Sequence, residues 1–324
     1  MPKLRYAEAL NAALHEEMTL DPAIILFGED IATYGGIFRV TKGLLEAFGP
    51  ARVRDTPISE QTLAGMAVGA AMVGLKPVLE IMFADFLPLT LDALINQAAM
   101  VPFIWAGQVP MSLVLRTQGG GGSGAGAQHS KTLDSLVAHV PGLKVVTPAT
   151  PRDAKGLLAA AIGDPNPVVF IEHKLLYNTT GEVPDGRFLL PIGKAEVVRS
   201  GNDVSIIANS RMVLESLKAA EQLGADGVSA EVVDLRTLRP LDHETILASV
   251  RKTHRAVIVH EGWRTGGIGA EVAALIAEEA LDCLDSPIRR VGARDLPIPY
   301  SAALEAEVLP SAERIRETVR TLDL

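Results

Sequence analysis

One cysteine, Cys283, in 324 residues excludes an internal disulfide and a thiolate-rich metal site. A reducing cytoplasm is its simplest home. Aromatic residues make up only 4% of the chain, whereas 48% is hydrophobic, mostly Ala, Val, Leu and Ile. Positive charge is also short. A net charge of -9 argues against a nucleic-acid-binding surface. Any phosphate on a ligand must then be held by local dipoles, a metal or another chain. No apolar run reaches the ~20 residues a membrane span needs. Met1-Pro-Lys-Leu-Arg-Tyr-Ala has no signal-peptide core. The sequence G-x-x-x-x-G-K-[ST] is missing, as are metal-binding His pairs and a nucleophile elbow.

What is present in excess is glycine, at one place. Six of the ten residues from Gly119 to Gln128 are glycine, and the run ends at His129. Glycine persists where backbone takes a left-handed turn or lies close to a ligand. Histidine transfers protons near neutral pH. Such a loop is expected to wall an active site; a flexible Gly/Ser linker is the bland alternative. Gly119-x-Gly121-x-x-Gly124 formally fits a dinucleotide fingerprint. However, the strand that follows ends Val-Val-Thr147-Pro148 without the required acid.

The length fits two domains. An amphipathic helix is expected over 6–19, then a strand over 23–30 that carries Glu29 and Asp30 at its end. An edge strand over 52–57 is stopped by Pro57. A helix rich in Ala and Gly follows over 61–73, with Ser59 as N-cap and Glu60 in the first turn, where the dipole suits an acid. That dipole is by itself a sufficient structural reason for Glu60. Strands over 77–82, 111–115, 144–148 and 167–172 alternate with helices over 89–103 and 151–162. This order predicts a parallel sheet covered on both faces. Residues 178–192 are turn-rich and read as a linker. The alternation then restarts, with strands over 204–208, 230–234, 256–260 and 288–291. The expected organisation is α/β with two domains, 1–177 and 193–324, each a mostly parallel sheet flanked by helices.

In parallel sheets, ligands bind beyond the carboxyl ends of strands. Glu29, Glu60, Phe83, Phe86 and His129 are expected there, all in the first domain. A carboxylate, a flat apolar slot and a proton donor suit an enzyme that grips a heteroaromatic cofactor. His139 and His173 are candidates for a supporting role.

Several motifs carry a resemblance. Asp55-Thr-Pro-Ile-Ser-Glu60, Glu80-Ile-Met-Phe-Ala-Asp-Phe86, Ala127-Gln-His-Ser130, Pro141-Gly-Leu-Lys-Val-Val-Thr-Pro148 and Glu261-Gly-Trp-Arg-Thr-Gly-Gly-Ile-Gly-Ala-Glu271 are similar to the beta subunit of the decarboxylating component of 2-oxo acid dehydrogenase complexes. The likeness runs from about residue 4 to about 320. It implies a transketolase-like pyrimidine-binding domain followed by a transketolase C-terminal domain. It also implies thiamine diphosphate held between chains of an α2β2 heterotetramer, with Mg²⁺ and diphosphate bound by the alpha subunit through a Gly-Asp-Gly…Asn motif that this chain lacks.

By the same resemblance, Glu60 meets the pyrimidine N1′ of the cofactor. Glu29, Ile58, Ser59, Met82, Phe83 and Phe86 line the cofactor slot. His129 faces the substrate and the lipoyl domain. Leu113, Ala161, Ile162, Asp164 and Asn166 match a K⁺ site, for which a plain turn is the alternative. A dihydrolipoyl acyltransferase core is the implied further partner. Pyruvate is the implied 2-oxo acid, and acetoin or branched-chain 2-oxo acids are the alternatives. The carboxyl-terminal half of a split transketolase, or a subunit concerned mainly with assembly, are readings of other kinds. Relatives commonly carry a basic residue where this chain has Val101-Pro-Phe-Ile-Trp105.

Overall fold

The computed structural model describes residues 1–322. The chain forms two compact units. The first holds Met1–Gly119 and Leu136–Ile192, and the second holds Gly120–Ser135 and the chain from Gly193 onward. The Gly-rich loop therefore belongs to the second unit, although its sequence lies inside the stretch expected to form the first.

In the first unit, strands run side by side in the order Lys144–Val146, Val168–His173, Val114–Gly119, Lys76–Ile81, Ile24–Gly28, Val53–Asp55. Every pairing among them is parallel. Parallel strands covered on both faces are buried along their length, as Val114–Gly119 and Val168–His173 are, including their polar residues. Val53–Asp55 lies at the sheet edge, as Pro57 suggests. Helices Tyr6–Leu20 and Pro151–Gly163 pack on each other. Helix Glu60–Met72 packs on strand Lys76–Ile81.

Three local expectations need correction. The single helix over 89–103 is broken into a 3₁₀ segment Ala84–Thr90, a π segment Ala93–Ala98 and a short α turn Val101–Ile104. Pro88 and Pro102 lie in this stretch, and proline removes a helical donor and crowds the preceding turn. Ser59 occupies the N-cap position, but its hydroxyl donates to the Pro57 carbonyl at 3.2 Å instead of capping the helix. The stretch 178–192 is not free chain. Thr180–Glu182 pairs antiparallel with Lys3–Arg5, and Arg187 Nε donates to Glu17 at 2.7 Å.

The second unit has its own sheet, ordered Arg289–Ala293, Ala256–Trp263, Val204–Ala208, Ala230–Asp234, Glu196–Arg199. The first four are parallel, and Glu196–Arg199 runs antiparallel at the edge. Helix Ala312–Val319 packs on helix Arg211–Ala225. Helix Ala302–Val308 carries the buried Glu305 and Val308. Among the described residues, no single helix is long and apolar enough to cross a membrane.

Candidate active site

The first unit gathers acids at the carboxyl ends of neighbouring strands. Strand Ile24–Gly28 delivers Glu29, and strand Lys76–Ile81 carries Glu80. Gly28 allows the close fit: a Cβ there would come within 2.6 Å of the Glu80 carbonyl oxygen. Glu60 is the first residue of helix Glu60–Met72, so the positive end of the helix dipole lies at its backbone. All three acids are buried, with Glu29 6%, Glu60 8% and Glu80 3% exposed. Burial pushes the Glu29 carboxyl up to about 7, and the negative charges of Glu60, Asp30 and Glu80 add to the effect. Glu29 Oε1 is buried with no hydrogen-bond partner among the described residues. Buried polar atoms are rarely left so, which marks Glu29 as a group awaiting a partner.

Beneath the acids lies a charged network that the sequence reading missed. Arg116 is fully buried. Its Nε and Nη2 donate to the two oxygens of Glu172 at 2.7 and 2.9 Å, and Nη1 donates to Glu80 Oε2 at 2.7 Å. Gln118 Nε2 donates to Glu80 Oε1 at 2.8 Å, and the Tyr177 hydroxyl donates to Glu172 at 2.6 Å. Burial and the nearby Glu80 push Glu172 up to about 7, although Arg116 pulls it down. Burial works against the Arg116 charge, yet Glu172 and Glu80 hold its pKa above the usual value. A signal for this network was available. Glu80, Arg116 and Glu172 interrupt apolar strand runs, and a charge in a buried strand needs a counter-charge.

The aromatic wall is larger than expected. Phe38 stacks on Tyr177 with ring centres 4.3 Å apart and meets Phe83 edge-on at 6.2 Å. The Lys174 ammonium sits 5.5 Å over the Phe83 ring. Phe86 and Met82 are half-buried beside it in sequence, Ser59 is half-buried, and Ile58 is 78% exposed. The Met82–Phe83 peptide is cis. His173 ends its strand, and its Nδ1 accepts from the Leu175 N–H at 3.1 Å.

Of the residues expected to hold K⁺, Ala161, Ile162, Asp164 and Asn166 lie at the end of helix Pro151–Gly163 and just beyond it, and Leu113 precedes strand Val114–Gly119. Asp164 caps helix Pro151–Gly163, and its Oδ1 accepts from both the N–H and the side-chain amide of Asn166. Its Oδ2 is ion-paired with Lys144. The Leu113 carbonyl accepts from Val168 N–H at 2.8 Å, and that of Ala161 from Asp164 N–H at 3.2 Å. Ile162 is buried beside them in sequence. Both Asp164 oxygens are thus engaged, and the carbonyls keep a second lone pair each. Among the described residues, no group of three or more His, Cys, Asp or Glu could hold a metal ion.

His129 lies half-buried on the loop of the second unit, and its backbone N–H donates to Gly126 O at 3.2 Å. Glu261 and Glu305 accept backbone N–H groups of the same loop. His129, expected in the first domain, thus lies in the second unit. That unit also buries His260 and Asp134. Burial lowers the His260 pKa and raises that of Asp134, each opposed by the other's charge.

Known proteins resemble this chain along most of its length. The transketolase pyrimidine-binding domain family matches residues 2–180, and the transketolase C-terminal domain family matches residues 193–315. The pyruvate dehydrogenase E1 component subunit beta-1 (mitochondrial) of Arabidopsis thaliana is 49% identical over 312 residues, covering 95% of this chain and 86% of that protein. The subunit beta-1 of Oryza sativa subsp. japonica is 48% identical, covering 95% of this chain and 83% of that protein. This chain belongs to the pyruvate dehydrogenase E1 beta-subunit family. A bacterial family member, from Rickettsia conorii, is 45% identical over 313 residues, covering 97% of this chain and 96% of that protein. A solved structure described as a split gene transketolase, inactive beta4 tetramer, superposes with a TM-score of 0.82 at 25% identity, covering 98% of both chains. The resemblance read from the motifs, and the two transketolase-like α/β domains it implies, are borne out. Family membership brings thiamine diphosphate dependence and association with an alpha subunit.

Proposed function

We propose that this chain is the beta half of an α2β2 pyruvate dehydrogenase first component, which decarboxylates pyruvate and passes the acyl group to lipoyl groups of a dihydrolipoyl acyltransferase core. The identity of its relatives supports pyruvate over acetoin and branched-chain 2-oxo acids. We place it in the cytoplasm. The names of the plant relatives carry a mitochondrial location and that of the Rickettsia relative carries none.

The observation that carries the reading is the buried acid group of Glu29, Glu60 and Glu80, with one orphaned Glu29 oxygen. An aminopyrimidine offers ring nitrogen and an amino group, which suit one carboxylate and one neutral carboxyl. Thiamine diphosphate, when bound, supplies a carbon nucleophile for the 2-oxo carbonyl. Glu60 holds a proton at the pyrimidine ring nitrogen, which is general acid–base work for a carboxylate kept dry. Glu29, with its carboxyl at about 7, donates to or accepts from the ring edge without placing a second full charge there. Phe83 and Phe86 wall the ring, with Ile58, Ser59 and Met82 completing the slot. His129 gives a proton to the lipoyl thiolate side of the acyl transfer. Mg²⁺ and the diphosphate go to the alpha subunit. A K⁺ ion at Leu113, Ala161, Ile162, Asp164 and Asn166 would bind through carbonyl oxygens, because Lys144 already neutralises Asp164. It takes no part in the proton steps.

The test is co-expression with an alpha subunit, followed by decarboxylation assays with an artificial electron acceptor. Pyruvate, acetoin and 3-methyl-2-oxobutanoate are offered in parallel, with a ketose phosphate as the transketolase control. Glu60→Gln is expected to assemble and to lose decarboxylation by at least about a hundredfold. His129→Ala is expected to keep decarboxylation and lose acyl transfer. Full activity of Glu60→Gln, or turnover of the ketose phosphate alone, would sink the assignment.

A further inference from the structure

We propose that Glu305, assisted by Glu261, is a positioning residue that fixes the loop carrying His129. The functional half of this inference rests on the reading of His129 given above.

A stretch with six glycines in ten residues should be the most mobile part of a chain, because glycine has the most backbone freedom to lose. Here it is held at nearly every step. The N–H groups of Gly122 and Gly124 donate to the two oxygens of Glu305, at 2.7 and 3.0 Å. The Gly121 N–H donates to Glu261 Oε1 at 2.7 Å. Neither carboxylate is a surface group: Glu305 is 3% and Glu261 6% exposed. Charge-assisted bonds of this length are the strong ones, and a buried carboxylate that lost them would be left unsatisfied.

The loop geometry is made for this clasp. Gly120, Gly122, Gly124 and Gly126 all lie in the left-handed region, with φ of 89, 89, 68 and 72°. Alternating left-handed residues let Gly122 and Gly124 turn their N–H groups onto one carboxylate. A Cβ on Gly121 would lie 2.8 Å from Leu309, and one on Gly126 would lie 2.3 Å from the Tyr300 ring. Tyr300, Glu305 and Leu309 flank or belong to helix Ala302–Val308, so one short segment makes the bed for the whole run. His129 follows at once. Its N–H hangs on the Gly126 carbonyl at 3.2 Å, and the Gly120 N–H closes the base of the loop on Lys131 O at 3.2 Å. Glu261 is braced in turn by the Thr132 hydroxyl at 3.3 Å and Arg211 at 3.5 Å. The clasp thus fixes the residues before His129, and the Gly126 bond transmits that fixation.

The assay uses the α2β2 enzyme. In the native protein, hydrogen exchange resolved to single residues should show the Gly121, Gly122 and Gly124 amides protected, with the exposed Ser123 amide as internal reference. In Glu305→Gln, one acceptor becomes an amide donor facing a backbone N–H. Exchange at Gly122 and Gly124 should rise about tenfold or more, and kcat for acyl transfer should fall about tenfold with the pyruvate KM unchanged. Glu307→Gln, an exposed acid on the same helix, should change neither. Unprotected Gly122 and Gly124 amides in the native enzyme refute the clasp. So does unchanged loop exchange in Glu305→Gln. A loosened loop with full acyl transfer refutes the positioning role. His129→Ala, run beside them, separates the two readings: full acyl transfer there removes the role of His129 and leaves the exchange result to judge the clasp.

Discussion

Replacing Arg116 with methionine keeps an unbranched stem but withdraws the guanidinium from between Glu80 and Glu172. Three charge-assisted hydrogen bonds, at 2.7, 2.7 and 2.9 Å, are lost at once. Glu172 retains Tyr177, and Glu80 retains Gln118. Neither of those is charged in a way that offsets a carboxylate. Two buried acids are then left without a counter-charge, at side-chain exposures of 4% and 0%. Removing one partner of a buried ion pair costs about 3–5 kcal/mol. For a unit of this size each kcal/mol moves Tm by about 2–4 °C, so a fall of about 6–20 °C is expected. The loss has a pH signature. Without Arg116 to pull it down, the buried Glu172 carboxyl holds a proton in the folded state that the unfolded chain releases at its ordinary acidic pKa. The folded state then binds more protons than the unfolded one, so stability falls further as pH rises through neutrality. Thermal unfolding of the single variant at pH 5.5 and pH 8 measures both effects. Adding Glu172→Gln should return part of the loss, because a neutral amide needs no counter-charge. A Tm shift below about 2 °C, or one equal at both pH values, would refute the claim that Arg116 is the counter-charge of this acid group.

Two further outcomes concern the same unit. Glu29 has a folded pKa of about 7, above its ordinary 4.5, so its contribution is favourable below 4.5 and is lost as pH rises through 7. Glu29→Gln should therefore flatten the decline of Tm between pH 5 and pH 8; an unchanged slope would show that Glu29 does not titrate there. At equal ionic strength, K⁺ should raise Tm more than Na⁺, and Lys144→Met should enlarge that difference by freeing Asp164. An identical response to both ions in both proteins would remove the K⁺ site.

The sequence carried much of the fold because its signals were local. Apolar runs of strand length alternating with helical patterns defined the parallel sheets, and Pro57 marked an edge. It failed where proline met an apolar run: the stretch around Pro88 and Pro102 has helical composition, and the missing donors break it into three unlike turns. The capping role of Ser59 was also misread, since a hydroxyl chooses among neighbouring carbonyls and N–H groups by geometry that composition does not contain.

The acids of the site were legible as acids at strand ends, and the motifs around Glu60 and His129 were specific enough to place the chain in its family. The determinants of their environment were not. Glu80, Arg116 and Glu172 lie 36 and 56 residues apart along the chain and meet because their strands are neighbours: Arg116 is opposite Glu80 on one side, and on the other Glu172 lies two residues past its partner Phe170. The Gly loop could be seen to need left-handed backbone, but not what would hold it. Glu305 is 183 residues beyond Gly122, on a short helix that the sequence reading did not expect. Sequence determined which residue types were available, and local spacing determined the elements that carry them. Tertiary structure alone decided which charges share a low-dielectric interior, because burial and the direction of a carboxylate are properties of the packed units and not of the chain.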